Sequence, residues 1–204
     1  MTVSSLKQIT TEVYTIAFED GTELRSTLNV IADFRLYSGC EIDAERHALL
    51  VAASSKAIAF RKAAEILSRR PMSCKELRDK LIRKGESEET ADYCVRRMVE
   101  TGLMDDGAYA SAVARHYTAK GYGAGRVRAE LSRRGVSRDY WEETISRMPV
   151  REDKIDHFIS ARLKDPNDRD QIRKVSNSLY RRGFSWEEIR SALSRYSTEY
   201  KEED

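Results

Sequence analysis

Cysteine is scarce in this chain, and what little there is has no pattern. Cys40, Cys74 and Cys94 are odd in number and lack C-x-x-C spacing. That argues against a disulfide framework or a cysteine-bound zinc ion and for a reducing cytoplasm. Long apolar runs are missing too: no uncharged stretch approaches the ~20 apolar residues of a membrane span. Met1-Thr2-Val3-Ser4-Ser5 lacks the charged and apolar regions of a secretory leader. A soluble cytoplasmic protein with no membrane partner is expected.

The usual marks of catalysis are also wanting. No G-x-x-x-x-G-K-[ST] loop occurs, and Gly121-Tyr122-Gly123-Ala124-Gly125 has Arg126 where a dinucleotide fingerprint needs glycine. Its glycines read as a helix stop followed by close-packing or hinge positions. His47, His116 and His157 lie far apart with no cysteine or carboxylate at metal-ligand spacing. Neither Gly135-Val136-Ser137 nor Gly183-Phe184-Ser185 completes a G-x-S-x-G nucleophile elbow. Asp105-Asp106 is better read as a helix cap than as a catalytic pair. No enzyme, metal or cofactor is expected.

What the chain does have is repetition. Two basic residues followed by Gly-x-Ser occur at Arg83-Lys84-Gly85-Glu86-Ser87, Arg133-Arg134-Gly135-Val136-Ser137 and Arg181-Arg182-Gly183-Phe184-Ser185, with the glycines 50 and 48 residues apart. Eight and four residues before each glycine stand Leu77/Leu81, Val127/Leu131 and Val175/Leu179, an apolar stripe of helical period. A fixed period of this length marks a repeat array whose units bury their apolar faces against neighbours. Glycine after a helix ending in basic residues fits a left-handed cap, and the serine fits the N-cap of the following helix. Each motif is therefore a helix-turn-helix corner.

Before the repeats, Val13-Tyr14-Thr15-Ile16-Ala17-Phe18 and the turn Glu19-Asp20-Gly21-Thr22 predict a β-hairpin returning at Leu24-Arg25. A short helix over 27–37 and a short strand over 39–42 should follow. A lone hairpin is barely stable, so the lobe should dock on helices. From Asp43 the pattern predicts a helix to about Arg70, then helices near 73–84, 87–101, 106–119, 123–134, 137–148, 151–164, 168–182 and 185–200. The fold class is mainly α: a tandem array of three three-helix repeats with a small N-terminal β-hairpin lobe. The expected divisions are 1–42, 43–103, 104–149 and 150–204.

Overall charge is only +2, but it is banded. Residues 56–84 carry net +7 and 86–106 net −5; 107–138 carry +6 and 139–156 −3; 157–182 carry +4 and 183–204 −3. The first two helices of each unit are basic and the third is acidic. A basic stripe suits phosphate or an acidic protein surface. Reading of a DNA groove by the last helix is disfavoured, because Glu86, Glu88, Glu89 and Asp92 there would oppose the phosphates. Tyr109, Tyr117, Tyr122, Tyr140, Trp141, Tyr180, Phe184 and Trp186 can stack on bases, but their helical spacing points first to packing between helices.

Several motifs in order carry a resemblance. Gly102-Leu103-Met104-Asp105-Asp106, Tyr109-Ala110, Tyr117, Lys120-Gly121-Tyr122-Gly123, Arg126-Val127, Glu130-Leu131 and Arg134-Gly135-Val136 resemble the central signature of the RecX family. The run from Ala63 to Ser73, with Glu76-Leu77, Lys80-Leu81 and Lys84-Gly85, resembles that family's first repeat. The chain departs from it at Ala108-Tyr109-Ala110, where the family often has Arg-Phe-Ala, and at Ala124, where it often has Pro. The resemblance implies a regulator that binds the RecA recombinase filament and modulates, most often inhibits, strand exchange and ATP hydrolysis; a monomer is expected. An autonomous protein that binds single- or double-stranded DNA without sequence preference is the competing expectation. On either reading the working surface is expected on the basic edge of the middle unit, Lys120, Arg126, Arg128, Arg133 and Arg134. Arg83 and Lys84 before it and Arg181 and Arg182 after it would extend that edge.

Overall fold

The first strand, Val3–Gln8 (β1), escapes the hydrophobic pattern because only Val3 in it is buried. It pairs antiparallel with β2 (Val13–Phe18), which pairs antiparallel with β3 (Glu23–Thr27), so the expected hairpin is two strands of a three-stranded sheet in the order β1-β2-β3. The Asp20-Gly21 turn closes as the dipeptide predicts: Asp20 accepts from the Thr22 amide at 2.9 Å, and Gly21 takes φ +86°. In this computed structural model, residues 1–149 and 152–202 are described, with side chains to 197. Helix α1 is shorter than expected, Leu28–Asp33. The strand expected over 39–42 amounts to one bridge, Thr2 to Glu41, because the chain there meets only the terminus of β1.

Helix α2 (Ala44–Arg69) starts at Asp43, whose side chain accepts from the Arg46 amide, and stops before Pro71. It serves two cores. Leu50 joins Val3, Ile16, Phe18, Ile31 and Ile42 under the sheet, and the Ser26 and Ser54 hydroxyls share a buried 2.8 Å hydrogen bond there. One and a half turns further on, Ala59, Ala63 and Ile66 pack with Leu77, Leu81 and Met98 of helices α3 (Cys74–Arg83) and α4 (Glu88–Glu100). Burial of this kind contributes about 25 cal/mol per Å² of apolar surface, so the sheet lobe is held by the same helix that opens the first repeat.

The chain divides into two compact units, Met1–Met104 and Asp105–Asp204. The second holds six α-helices among its described residues: α5 (Asp106–Ala119), α6 (Ala124–Arg133), α7 (Trp141–Ser146), α8 (Glu152–Ser160), α9 (Arg169–Arg181) and α10 (Trp186–Glu202). Val113, Val127 and Leu131 centre one core, and Ile159, Leu179 and Ile189 another. The helix expected over 137–148 is broken, since Arg138–Tyr140 form a 3₁₀ turn before α7. The expected start of α8 at 151 lies outside the described residues; it ends at Ser160, earlier than 164.

At the corners the expected chemistry is present. Gly85, Gly135 and Gly183 all have φ between +67° and +92°, a region that costs an L side chain roughly 1 kcal/mol or more. Ser87 accepts from the Thr90 amide, and Ser185 and Glu188 exchange both bonds of a capping box. Ser137 differs, accepting from the Asp139 amide at 3.5 Å and donating to the Asp139 carboxylate at 2.9 Å, in keeping with the 3₁₀ turn that follows it.

Candidate functional site

The basic residues singled out in sequence are not equivalent once folded. Three of them surround one acid. Glu130 is the sole carboxylate in the basic band of the middle repeat, and it is 4% exposed on the inner side of α6. Arg126 lies 3.0 Å from it, Arg133 2.7 Å and Arg134 3.7 Å. The helix dictates this: positions i−4, i+3 and i+4 lie on one face. Burial alone would push the Glu130 carboxyl up. Hydrogen bonds from Arg133 and Tyr117, with the charges of Arg133 and Arg126, outweigh that and hold it below its ordinary value. Reciprocally, Glu130 raises Arg133.

Arg134 is turned further inward, with 20% of its side chain exposed. It donates to the Tyr109 hydroxyl at 2.5 Å and lies over that ring. Arg126 sits over Tyr117 and Tyr122, and Arg182 over Tyr122 and Phe158. Two arginines from different repeats thus share the Tyr122 ring, a desolvating arrangement in which each contact is worth about 0.5–2 kcal/mol. Arg128 stands apart, 3.7 Å from Glu142 of α7. Lys120 and Arg181 are exposed, as are Arg83 and Lys84 in the first unit, where Arg83 Nε donates to the Asp79 carbonyl.

Backbone contact explains why Arg182 and Arg126 meet. The Gly123 amide donates to the Arg182 carbonyl at 3.0 Å and the Gly125 amide to the Gly183 carbonyl at 2.9 Å. A Cβ at Gly123 would lie 2.4 Å from the Gly183 carbonyl oxygen. The glycine cluster is a docking joint between two repeats, the close-packing option of its sequence reading.

The acidic bands also have partners. In the first unit Arg78 bonds Asp92 at 2.5 Å and Glu88 at 2.9 Å, tying α3 to α4, while Lys62 reaches Glu86 at 2.8 Å and Lys56 lies 3.7 Å from Glu89. In the third repeat Arg195 holds Asp156 at 2.8 Å. Part of the charge banding is therefore pairing of basic with acidic helices inside the first two repeats, α3 with α4 and α6 with α7. The Arg126–Arg133–Arg134 cluster is similarly committed, so substitution there disturbs the fold as well as the surface. The i−4, i+3, i+4 arginine spacing about Glu130 is the sign of this role that the sequence carries.

Other groups of possible chemical use have packing or capping roles. His47 packs edge-on against Phe18 and His116 against Tyr117. Burial pushes the Cys94 thiol up to about 11, which favours the thiol over the thiolate. Among the described residues no group of three His, Cys, Asp or Glu is placed to hold a metal, and no helix is long and apolar enough to cross a membrane. Asp105 caps α5, accepting from the Gly107 and Ala108 amides. A cleft of about 470 Å³ in the second unit has an apolar floor including Ile145, Met148 and Phe184 and an acidic rim of Glu152, Glu187 and Glu188.

Comparison with known proteins gives consistent relatives. Residues 59–98, 105–145 and 161–193 match the family models for the first, second and third three-helix domains of RecX. The regulatory protein RecX of Vibrio vulnificus is 34% identical over 137 residues, 65% of this chain and 88% of that protein. That of Caldanaerobacter subterraneus subsp. tengcongensis is 31% identical over 160 residues, 76% and 79% of the two chains. A crystal structure of regulatory protein RecX aligns over 95% of this chain and 98% of its own at a TM-score of 0.78 and 21% identity, a likeness of fold.

Proposed function

Because the chain belongs to the RecX family of regulatory proteins, we propose that it is a regulator of the RecA recombinase in the cytoplasm. It binds the RecA–DNA filament and restrains strand exchange and ATP hydrolysis without chemistry of its own. The observation that carries this reading is the match of three successive three-helix domains, in order, to one family of regulators. The surface supports it: half-exposed arginines are held rigid by Glu130 and by aromatic rings, a pre-organised state that lowers the entropy lost on docking. Lys84, Lys120 and Arg181 add exposed charge.

Co-sedimentation tests the proposal. The protein should pellet with RecA on single-stranded DNA, and more weakly with RecA or DNA separately. It should also lower DNA-dependent ATP hydrolysis. If hydrolysis and strand exchange are unchanged at saturating protein, and nothing co-sediments, the proposal fails. Autonomous nucleic-acid binding is the second reading, favoured by the exposed cations. It requires tight binding to DNA alone that falls steeply with salt.

A further inference from the structure

The third corner carries something the other two lack. Tyr180, at the end of α9, and Trp186, at the start of α10, stack on each other with ring centroids 5.2 Å apart and planes 19° off parallel. They are nevertheless 54% and 49% exposed. The equivalent positions are Ile82 and Glu88 at the first corner and Ser132 and Arg138 at the second, so the corner does not need aromatics to fold. Sequence spacing suggested packing between helices. Instead the pair stands outside the core, whose apolar members here are Leu179, Phe184 and Ile189.

The flank of this pair is basic. Arg169, Arg173, Asn177 and Tyr180 recur at helical spacing along α9, with Lys174 and Arg181 beside them, and all are exposed. At 3.6 residues per turn these positions span about 140° of the helix. The one acid on that arc, Asp170, is paired with Arg173 at 3.0 Å. Among the described residues Arg169, Lys174 and Arg181 form no ion pair, although Lys174 lies close enough to Asp168 to help lower its carboxyl, after the Gln171 and Asp170 hydrogen bonds. The contrast with α6 is direct, since there the arginines are bound to Glu130.

We propose that the Tyr180–Trp186 stack is a platform for an unpaired nucleobase, with the exposed face of α9 guiding the strand's phosphates. A flat, exposed ring pair beside a row of cations is what a single strand needs: one row of phosphates and a free base face. Duplex bases have both faces covered already. Glu187 and Glu188 follow Trp186, which further disfavours the denser charge of a duplex. Stacking is sequence-tolerant because every base has a π-face. This deepens the filament reading by assigning the corner to the DNA strand, and it rests on that reading only for its biological setting.

Trp186 is its own reporter, one of two tryptophans in the chain. The full protein is titrated with oligo-dT of about 15 nucleotides, a length suited to one such site, with an abasic strand of equal length and with the duplex. The platform predicts quenching by oligo-dT that disappears in Trp186→Phe, and little or none from the abasic strand or duplex. Tyr180→Ala with Trp186→Ala should weaken oligo-dT binding about tenfold by anisotropy of labelled strand, with the circular dichroism spectrum unchanged. Lys174→Ala with Arg181→Ala should reduce the salt slope by roughly 0.7 per charge. Oligo-dT binding without quenching, equal quenching by the abasic strand, or wild-type affinity in the double aromatic variant overturns the inference. So does a Trp186 signal that answers RecA without DNA and ignores oligo-dT, because the surface then docks protein. Absent quenching with intact filament binding sinks the platform and leaves the regulator reading; quenching without filament binding does the reverse.

Discussion

A carboxylate that receives three guanidinium groups while 4% exposed is both a structural brace and a source of pH dependence. Removing it takes from Arg126, Arg133 and Arg134 the carboxylate they share, and breaking such a cluster from one side costs more than the pair contributed. Glu130→Gln is expected to destabilise the second unit by about 2 kcal/mol, read as an earlier transition in a denaturant melt. The pH sign follows from the lowered carboxyl: its contribution is complete above the ordinary value of 4.5 and disappears as pH falls through the lower folded value. Wild-type melting temperature should therefore drop more steeply than that of Glu130→Gln as pH falls below about 4.5. Parallel slopes would mean that Glu130 is not held in its charged form. For the same reason a charge reversal at Arg134 is a poor probe of binding, because it sets a second carboxylate against Glu130. Arg126 shares the same carboxylate, so Lys120 and Arg181, which are exposed, are the cleaner probes.

The corners show how one motif yields different elements. Gly85 has open space where a Cβ would go, whereas a Cβ on Gly183 would lie 2.1 Å from the Arg126 backbone nitrogen. Both have positive φ, so alanine costs about 1 kcal/mol at either for conformation, but at Gly183 it must also separate two backbones. Gly183→Ala is expected to lose about 3 kcal/mol or more, against roughly 1 kcal/mol for Gly85→Ala. Comparable losses in thermal melts would show that the joint is slack. Ser185→Ala should cost about 1 kcal/mol through its capping box, and Ser137→Ala less. What sequence made visible here was local: stripe, left-handed glycine and serine cap all act within one turn of helix. Hidden from it was whatever depends on a distant partner. Strand β1 exists because β2 supplies its hydrogen bonds, and its Ser4-Ser5-Leu6-Lys7 pattern is mostly exposed. That Gly183 meets Gly123 and Gly125, or that Arg182 meets Tyr122, is likewise invisible until the repeats pack. The candidate surface was legible as charge but not as commitment, since a run of basic residues does not say which of them already face an acid.

At the scale of the whole chain, each of the two units brings its own exposed cations: Arg83 and Lys84 in residues 1–104, Lys120 and Arg181 in residues 105–204. On the proposed filament reading, in which a polymer of identical subunits is recognised rather than RecA or DNA singly, the chain gains from engaging through both. Each contact is then weak by itself, and the second binds at the effective concentration set by the first, which raises avidity by about 10²–10⁴-fold. In the first unit Glu86, Glu88 and Asp92 are already paired with Lys62 and Arg78, whereas Arg83 and Lys84 are exposed and in no ion pair among the described residues. Reversal of Arg83 and Lys84 to Glu, or separately of Lys120 and Arg181 to Glu, is expected to weaken co-sedimentation with the RecA–DNA filament at least tenfold in each case. Both variants should keep wild-type melting behaviour, because exposed charges contribute less than about 1 kcal/mol to stability. Joint reversal should reduce binding to that of a non-specific cationic surface, abolished by moderate salt. A variant of one unit that binds the filament like wild type would show that this unit stands clear of it, and recognition would then rest on the other unit without the gain from linkage.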